Sequence, residues 1–77
     1  MNTMRKRLKE QQRLVEEFNA RFKIGDPVIR YKLVNPLREP QLTRTRSAAW
    51  VLFHYSAMVM VEGVAGGVMV ESVTAAP

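Results

Sequence analysis

A chain of 77 residues with no cysteine, 47% apolar content and a formal charge of +5 is one small domain that lacks disulfides, iron–sulfur clusters, thiolate catalysis and most structural zinc sites. Its apolar share is too high for a wholly disordered chain. The opening MNTMRKRLKE lacks an apolar signal segment and no run approaches a membrane span, so the expected setting is cytoplasmic with no membrane partner.

The charge is unevenly placed. All 12 lysines and arginines lie between Arg5 and Arg46, while residues 47–77 carry only Glu62 and Glu71 as charged groups. Such asymmetry points to an anionic partner meeting one side of the molecule. A core this small also leaves room for a homodimer to supply part of the stability.

Met4, Leu8, Val15, Phe18 and Phe22 recur at helical spacing, with Gln11 in the vacant position of the stripe, which predicts an amphipathic helix over residues 3–21. Asn2 or Thr3 is placed to cap it, and Lys6/Glu10, Arg13/Glu17 and Glu17/Arg21 are spaced to pair across a turn. Arg5, Lys6, Arg7 and Lys9 crowd the first turns, where the helix dipole disfavours cations. Either they are simply solvated, or an anion such as a phosphate backbone neutralises them. Gly25 and Pro27 end the helical segment, here bounded at residues 1–23.

The rest reads as β-structure over residues 24–73, with a tail over 74–77. Val28 to Leu33 is a strand whose alternation predicts Ile29, Tyr31 and Leu33 on one face and Arg30 and Lys32 on the other. Asn35-Pro36 through Glu39-Pro40 is a loop. In Leu42 to Arg46, Arg44 and Arg46 share a face; if this strand lies beside the first, Arg30, Lys32, Arg44 and Arg46 form one basic patch.

Trp50 to Tyr55 reads as a buried strand, with Trp50 and Phe53 in the core. Ser56-Ala57 turns the chain into Met58 to Glu62, where Val59 and Val61 face inward. Gly63 to Gly67 is a hairpin connection, after which Val68 and Val70 point inward and Met69 and Glu71 outward. Met58, Met60 and Met69 then form an outward apolar patch. Either the helix covers it through Val15, Phe18 and Phe22, or it is a protein interface.

The entry Phe22-Lys23-Ile24-Gly25-Asp26-Pro27-Val28, followed by short strands and a Gly-rich hairpin, resembles the SH3-like barrels. This implies a mainly β fold: a small five-stranded barrel preceded by one N-terminal amphipathic α-helix. Gly25-Asp26, Ala48-Ala49-Trp50 and Gly67-Val68-Met69-Val70 look like segments of the plasmid type II dihydrofolate reductases. That family's pore run is valine-glutamine-isoleucine-tyrosine, and here Val68, Met69, Val70 and Glu71 stand in its place, so the resemblance carries no activity. Thr45 to Trp50 with Val61-Glu62-Gly63 also resembles small proteins of phages and mobile elements.

No catalytic constellation emerges from the sequence. His54 is the single histidine and reads as structural or surface-exposed, and Asp26, Glu39, Glu62 and Glu71 show no acid/base spacing. The expected function is therefore non-enzymatic, with no cofactor and no metal: binding of nucleic acid or a nucleoprotein complex through Arg5, Lys6, Arg7, Lys9, Arg30, Lys32, Arg44 and Arg46. Tyr55, Tyr31 or Trp50 is available to stack a base. The alternative is a mobile-element inhibitor, of the counter-defence or anti-CRISPR kind, that binds a host nucleic-acid machine through protein contacts, with Met58, Met60 and Met69 in the interface.

Overall fold

The computed structural model describes residues 3–31, 40–53 and 55–77. Helix α1 (Thr3–Arg21) is followed by β1 (Pro27–Arg30), β2 (Gln41–Arg44), β3 (Trp50–Leu52), β4 (Ser56–Val59) and β5 (Val68–Met69). A 3-10 turn over Val70–Ser72 then leads into β6 (Val73–Ala75). The strands form two antiparallel three-stranded sheets, β2-β1-β6 and β3-β4-β5. The architecture is thus a small mixed α/β protein with one N-terminal helix. Among the described residues the strands do not close into the expected five-stranded barrel.

The helix has the predicted extent because its stripe has a surface to cover. Phe18 is buried with Val28, Ala49, Ala57, Val59, Val61, Val68 and Val70, and Leu14, Val15 and Phe22 pack against this cluster. Phe18 and Phe22 stack with ring centroids 4.6 Å apart. Gln11, the polar member of the stripe, is 6% exposed, and its Oε1 accepts the Ala57 N–H at 2.8 Å. β5 pairs with β4 only at Met58 and Val59, so the helix supplies the acceptor that the short strand does not. Asn19 acts similarly on Ala49, accepting its N–H at 2.8 Å and donating to its carbonyl at 3.2 Å.

The exit from α1 is fixed by Thr45, which is 2% exposed. Gly25 adopts φ 97°, open to glycine at little steric expense. Its N–H donates to the Thr45 carbonyl at 2.9 Å and lies 3.0 Å from the hydroxyl, which itself donates to the Lys23 carbonyl at 2.9 Å. Thr45 also bridges to Val61, and flanking bonds from Arg46 N–H to the Met60 carbonyl and from Glu62 N–H to the Arg44 carbonyl, both 2.9 Å, join the two sheets.

Val59, Val61, Val68 and Val70 point inward, as their alternation predicts. Four other expectations are corrected. First, the alternation in β1 holds, but the Arg30 face, expected to join a basic patch, turns with fully buried Val28 to the core side, while Tyr31 is exposed. Val28-Ile29-Arg30-Tyr31 has apolar residues at both parities, and pairing of Arg30 with the core-packed Val73 shows which parity faces inward.

Second, β3 stops at Leu52, Phe53 and Tyr55 lie outside the strands, and the Tyr55 N–H donates to the Leu52 carbonyl at 3.0 Å. Phe53 is 78% exposed rather than buried. Third, the residues read as a tail include most of β6, which pairs with β1 through Val73, Thr74 and Ala75. Fourth, α1 does not cover Met58, Met60 and Met69, because its stripe packs against the Ala57 and Val59 face of the sheet. Asn2 as a cap, Lys32, Leu33, the 35–39 loop and His54 lie outside the described residues. No helix among the described residues is long and apolar enough to cross a membrane.

Candidate nucleic-acid interface

The first turns of α1 carry Arg5, Lys6, Arg7 and Lys9, all exposed, and its first turn contains no acid. Of the helix pairs expected from spacing, Arg13–Glu17 closes at 3.1 Å and is the one seen among the described residues. Lys6 and Lys9 therefore add to the positive potential of the helix N-terminus.

Directly against this cluster stands the β3–β4 hairpin tip. Arg7 Nε donates to the Tyr55 carbonyl at 2.9 Å, and that bond spans 48 residues of sequence. At the tip Phe53 is 78% and Tyr55 47% exposed. Phe53 has φ 49°, the single non-glycine residue with positive φ among those described, a conformation costing a β-carbon-bearing residue about 1–2 kcal/mol. Core burial of a phenylalanine ring would have contributed roughly 1.5–3 kcal/mol. A ring placed in solvent on a strained residue, at the tip that Arg7 bonds, gains nothing for the fold that the structure shows.

The remaining basic residues are elsewhere. Arg44 and Arg46 do share an outward parity, with buried Thr45 between them. They lie near the other end of α1, at its exit, where Arg21 is roughly 21 Å along the helix axis from Arg7. There they hold main chain: Arg44 Nη1 donates to the Gly25 carbonyl at 3.0 Å, and Arg46 donates through Nε to Val61 and through Nη2 to Val64, each at 3.0 Å. Arg30 turns to the core side, with Nη1 3.4 Å from Gln41 Oε1 and its buried Nε without a hydrogen-bond partner. The expected single patch of Arg30, Lys32, Arg44 and Arg46 is thus not assembled: Arg30 and Arg44 occupy opposite faces of their sheet, and Lys32 lies outside the described residues.

The outer face of β3-β4-β5 carries a row of Trp50, Met58 and Met69 in direct register. These side chains, and Met60, are half-buried. A β-carbon at Gly67 would fall 2.9 Å from Trp50 Cη2 and 3.3 Å from Met58 Cε, so glycine lets the Trp50 ring lie close over the chain just before β5.

A cleft of about 200 Å³ between α1 and the 3-10 turn is lined mainly by Leu14, Phe18, Phe22, Val70 and Val73, with Glu17, Arg21 and Glu71 among its walls. Arg21 lies over the Phe22 ring at 5.1 Å, and Glu17 is engaged by Arg13. Among the described residues no three His, Asp or Glu side chains come close enough to hold a metal ion.

The helix cluster and Tyr55, both candidates from the sequence, are brought together by the Arg7–Tyr55 bond, whereas Phe53, read as core, is exposed. Phe53-His54-Tyr55 contains no glycine, proline or asparagine to mark a turn, and its apolar character favoured burial. Compared with family models, with curated proteins and with solved structures, the chain matches none.

Proposed function

We propose that this protein is a non-enzymatic binding module that engages nucleic acid, alone or within a nucleoprotein complex, through the basic first turns of α1 and the hairpin tip beside them. The observation that carries this reading is the Arg7–Tyr55 bond, which unites exposed cations and exposed aromatic rings at one end of the molecule. Cations on a helix N-terminus favour a polyanion, and rings beside them favour one that also carries planar bases. Kinship with SH3-like barrels draws support from two short-stranded sheets sharing one core and joined at Thr45–Val61.

The test is salt. Fluorescence anisotropy with labelled mixed-sequence DNA and RNA should show log affinity falling linearly with log salt, and Lys6→Ala and Lys9→Ala should each reduce the slope by about one. Affinity that is flat against salt overturns the reading.

The Trp50–Met58–Met69 row favours a second reading, the inhibitor that binds a host nucleic-acid machine by protein contacts. Under it, a stoichiometric protein partner survives nuclease treatment and is lost on Met58→Glu, while Lys6→Ala leaves it bound.

A further inference from the structure

We infer that the nucleic acid recognised at the hairpin tip is single-stranded, with Phe53 and Tyr55 as a stacking platform for unpaired bases. This rests on the nucleic-acid reading above and adds the class of strand. In a duplex, base faces are occupied by neighbouring bases and only their edges reach the grooves, so an exposed ring finds no face to stack on unless the duplex is opened. Contacts to phosphate alone make no use of aromatic rings.

Here both rings are exposed to solvent. Phe53 follows the end of β3 with positive φ, and Tyr55 stands just before β4 at the same tip, both rings exposed. Helix turns bearing Lys6, Arg7 and Lys9 abut them through the 2.9 Å bond from Arg7. Cations to follow a backbone and neighbouring rings to receive its bases are the two components that sequence-tolerant single-strand binding needs. An apolar protein surface would match the rings but leave the adjacent positive charge unanswered; a single-stranded polyanion answers both. Stacking is available to every base, so the expected sequence preference is small.

The experiment uses the whole chain and three labelled probes of about 15 nucleotides, a length that covers one small binding site: oligothymidine, oligouridine and a mixed-sequence DNA duplex, all at one salt concentration. Binding to at least one of the single strands is expected to be about tenfold tighter than to the duplex, and a difference between the two single strands assigns the preferred sugar. Phe53→Leu, which keeps apolar bulk but removes the ring, and Tyr55→Ala should each weaken single-strand binding about tenfold and leave duplex binding unchanged. Circular dichroism melts confirm that both variants fold. Duplex bound as tightly as either single strand, or a Phe53→Leu variant that binds single strands like the parent, would overturn the single-strand assignment while the basic surface stands. Failure of all three probes to bind at low salt removes the nucleic-acid reading itself.

Discussion

At the exit of α1, arginines are part of the scaffold; at its start, they border solvent and an aromatic tip. Arg44 and Arg46 direct guanidinium N–H groups to the carbonyls of Gly25, Val61 and Val64, main-chain oxygens of loops that neither sheet completes. Arg7 makes one bond to the Tyr55 carbonyl, while Lys6 and Lys9 stand exposed. The same residue class fastens loops where unpaired carbonyls lie within reach and remains accessible where an amphipathic helix holds its polar face outward. Charge counted along a sequence does not distinguish these uses.

The contrast can be broken by mutation, and the largest effect should fall at the exit. Thr45→Val removes the hydroxyl shared by Gly25 and Lys23 at a buried site and is expected to lower stability by about 2 kcal/mol, measured by urea denaturation. Arg46→Ala frees the Val61 and Val64 carbonyls; because the site is partly open to water, the expected loss is about 1 kcal/mol. Neither variant should change the salt dependence of nucleic-acid binding by more than the single charge removed at Arg46. A Thr45→Val protein as stable as the parent would show that the exit does not depend on this residue.

At the other end the effects on folding should be small and partly reversed. Phe53→Gly relieves a positive φ costing about 1–2 kcal/mol against roughly 0.5–1 kcal/mol of added chain entropy. A net gain on the order of 0.5 kcal/mol in stability is therefore expected, with single-strand binding weakened by about tenfold as for Phe53→Leu. Lys6→Ala and Lys9→Ala should change stability by less than about 0.5 kcal/mol and be visible only in binding. If Phe53→Gly destabilises the protein by more than about 1 kcal/mol, the tip serves the fold and the division between the two ends fails.

These regions were unequally legible in the sequence. The helix was plain because a stripe at steps of three and four ends at a glycine and a proline, and the inward valines of β4 and β5 were plain because each alternates with methionine or glutamate. β1 was ambiguous, since Val28 and Ile29 are both apolar and only the pairing of Arg30 with Val73 decides the face. Between β3 and β4 the sequence offers no glycine, proline or asparagine, so an apolar run concealed both the end of β3 at Leu52 and the exposure of Phe53. β6 was hidden for a different reason: its partner, β1, lies more than forty positions earlier, and no local pattern in Val73-Thr74-Ala75 announces it. The two uses of arginine were illegible because they depend on which carbonyls the fold leaves unpaired.

Gln11 and Asn19 are eight positions apart, a little over two helical turns, and each grips the main chain of the β3-β4-β5 sheet region, at Ala57 and Ala49. Apolar contact alone is non-directional and would let a cylinder roll or slide across a bed of valines. Two directional attachments on one side of that cylinder set both its rotation and its axial position. The placing of Arg7 against the tip is consequently keyed by two uncharged amides, and loosening either one should blur the proposed recognition without removing a single charge from the surface.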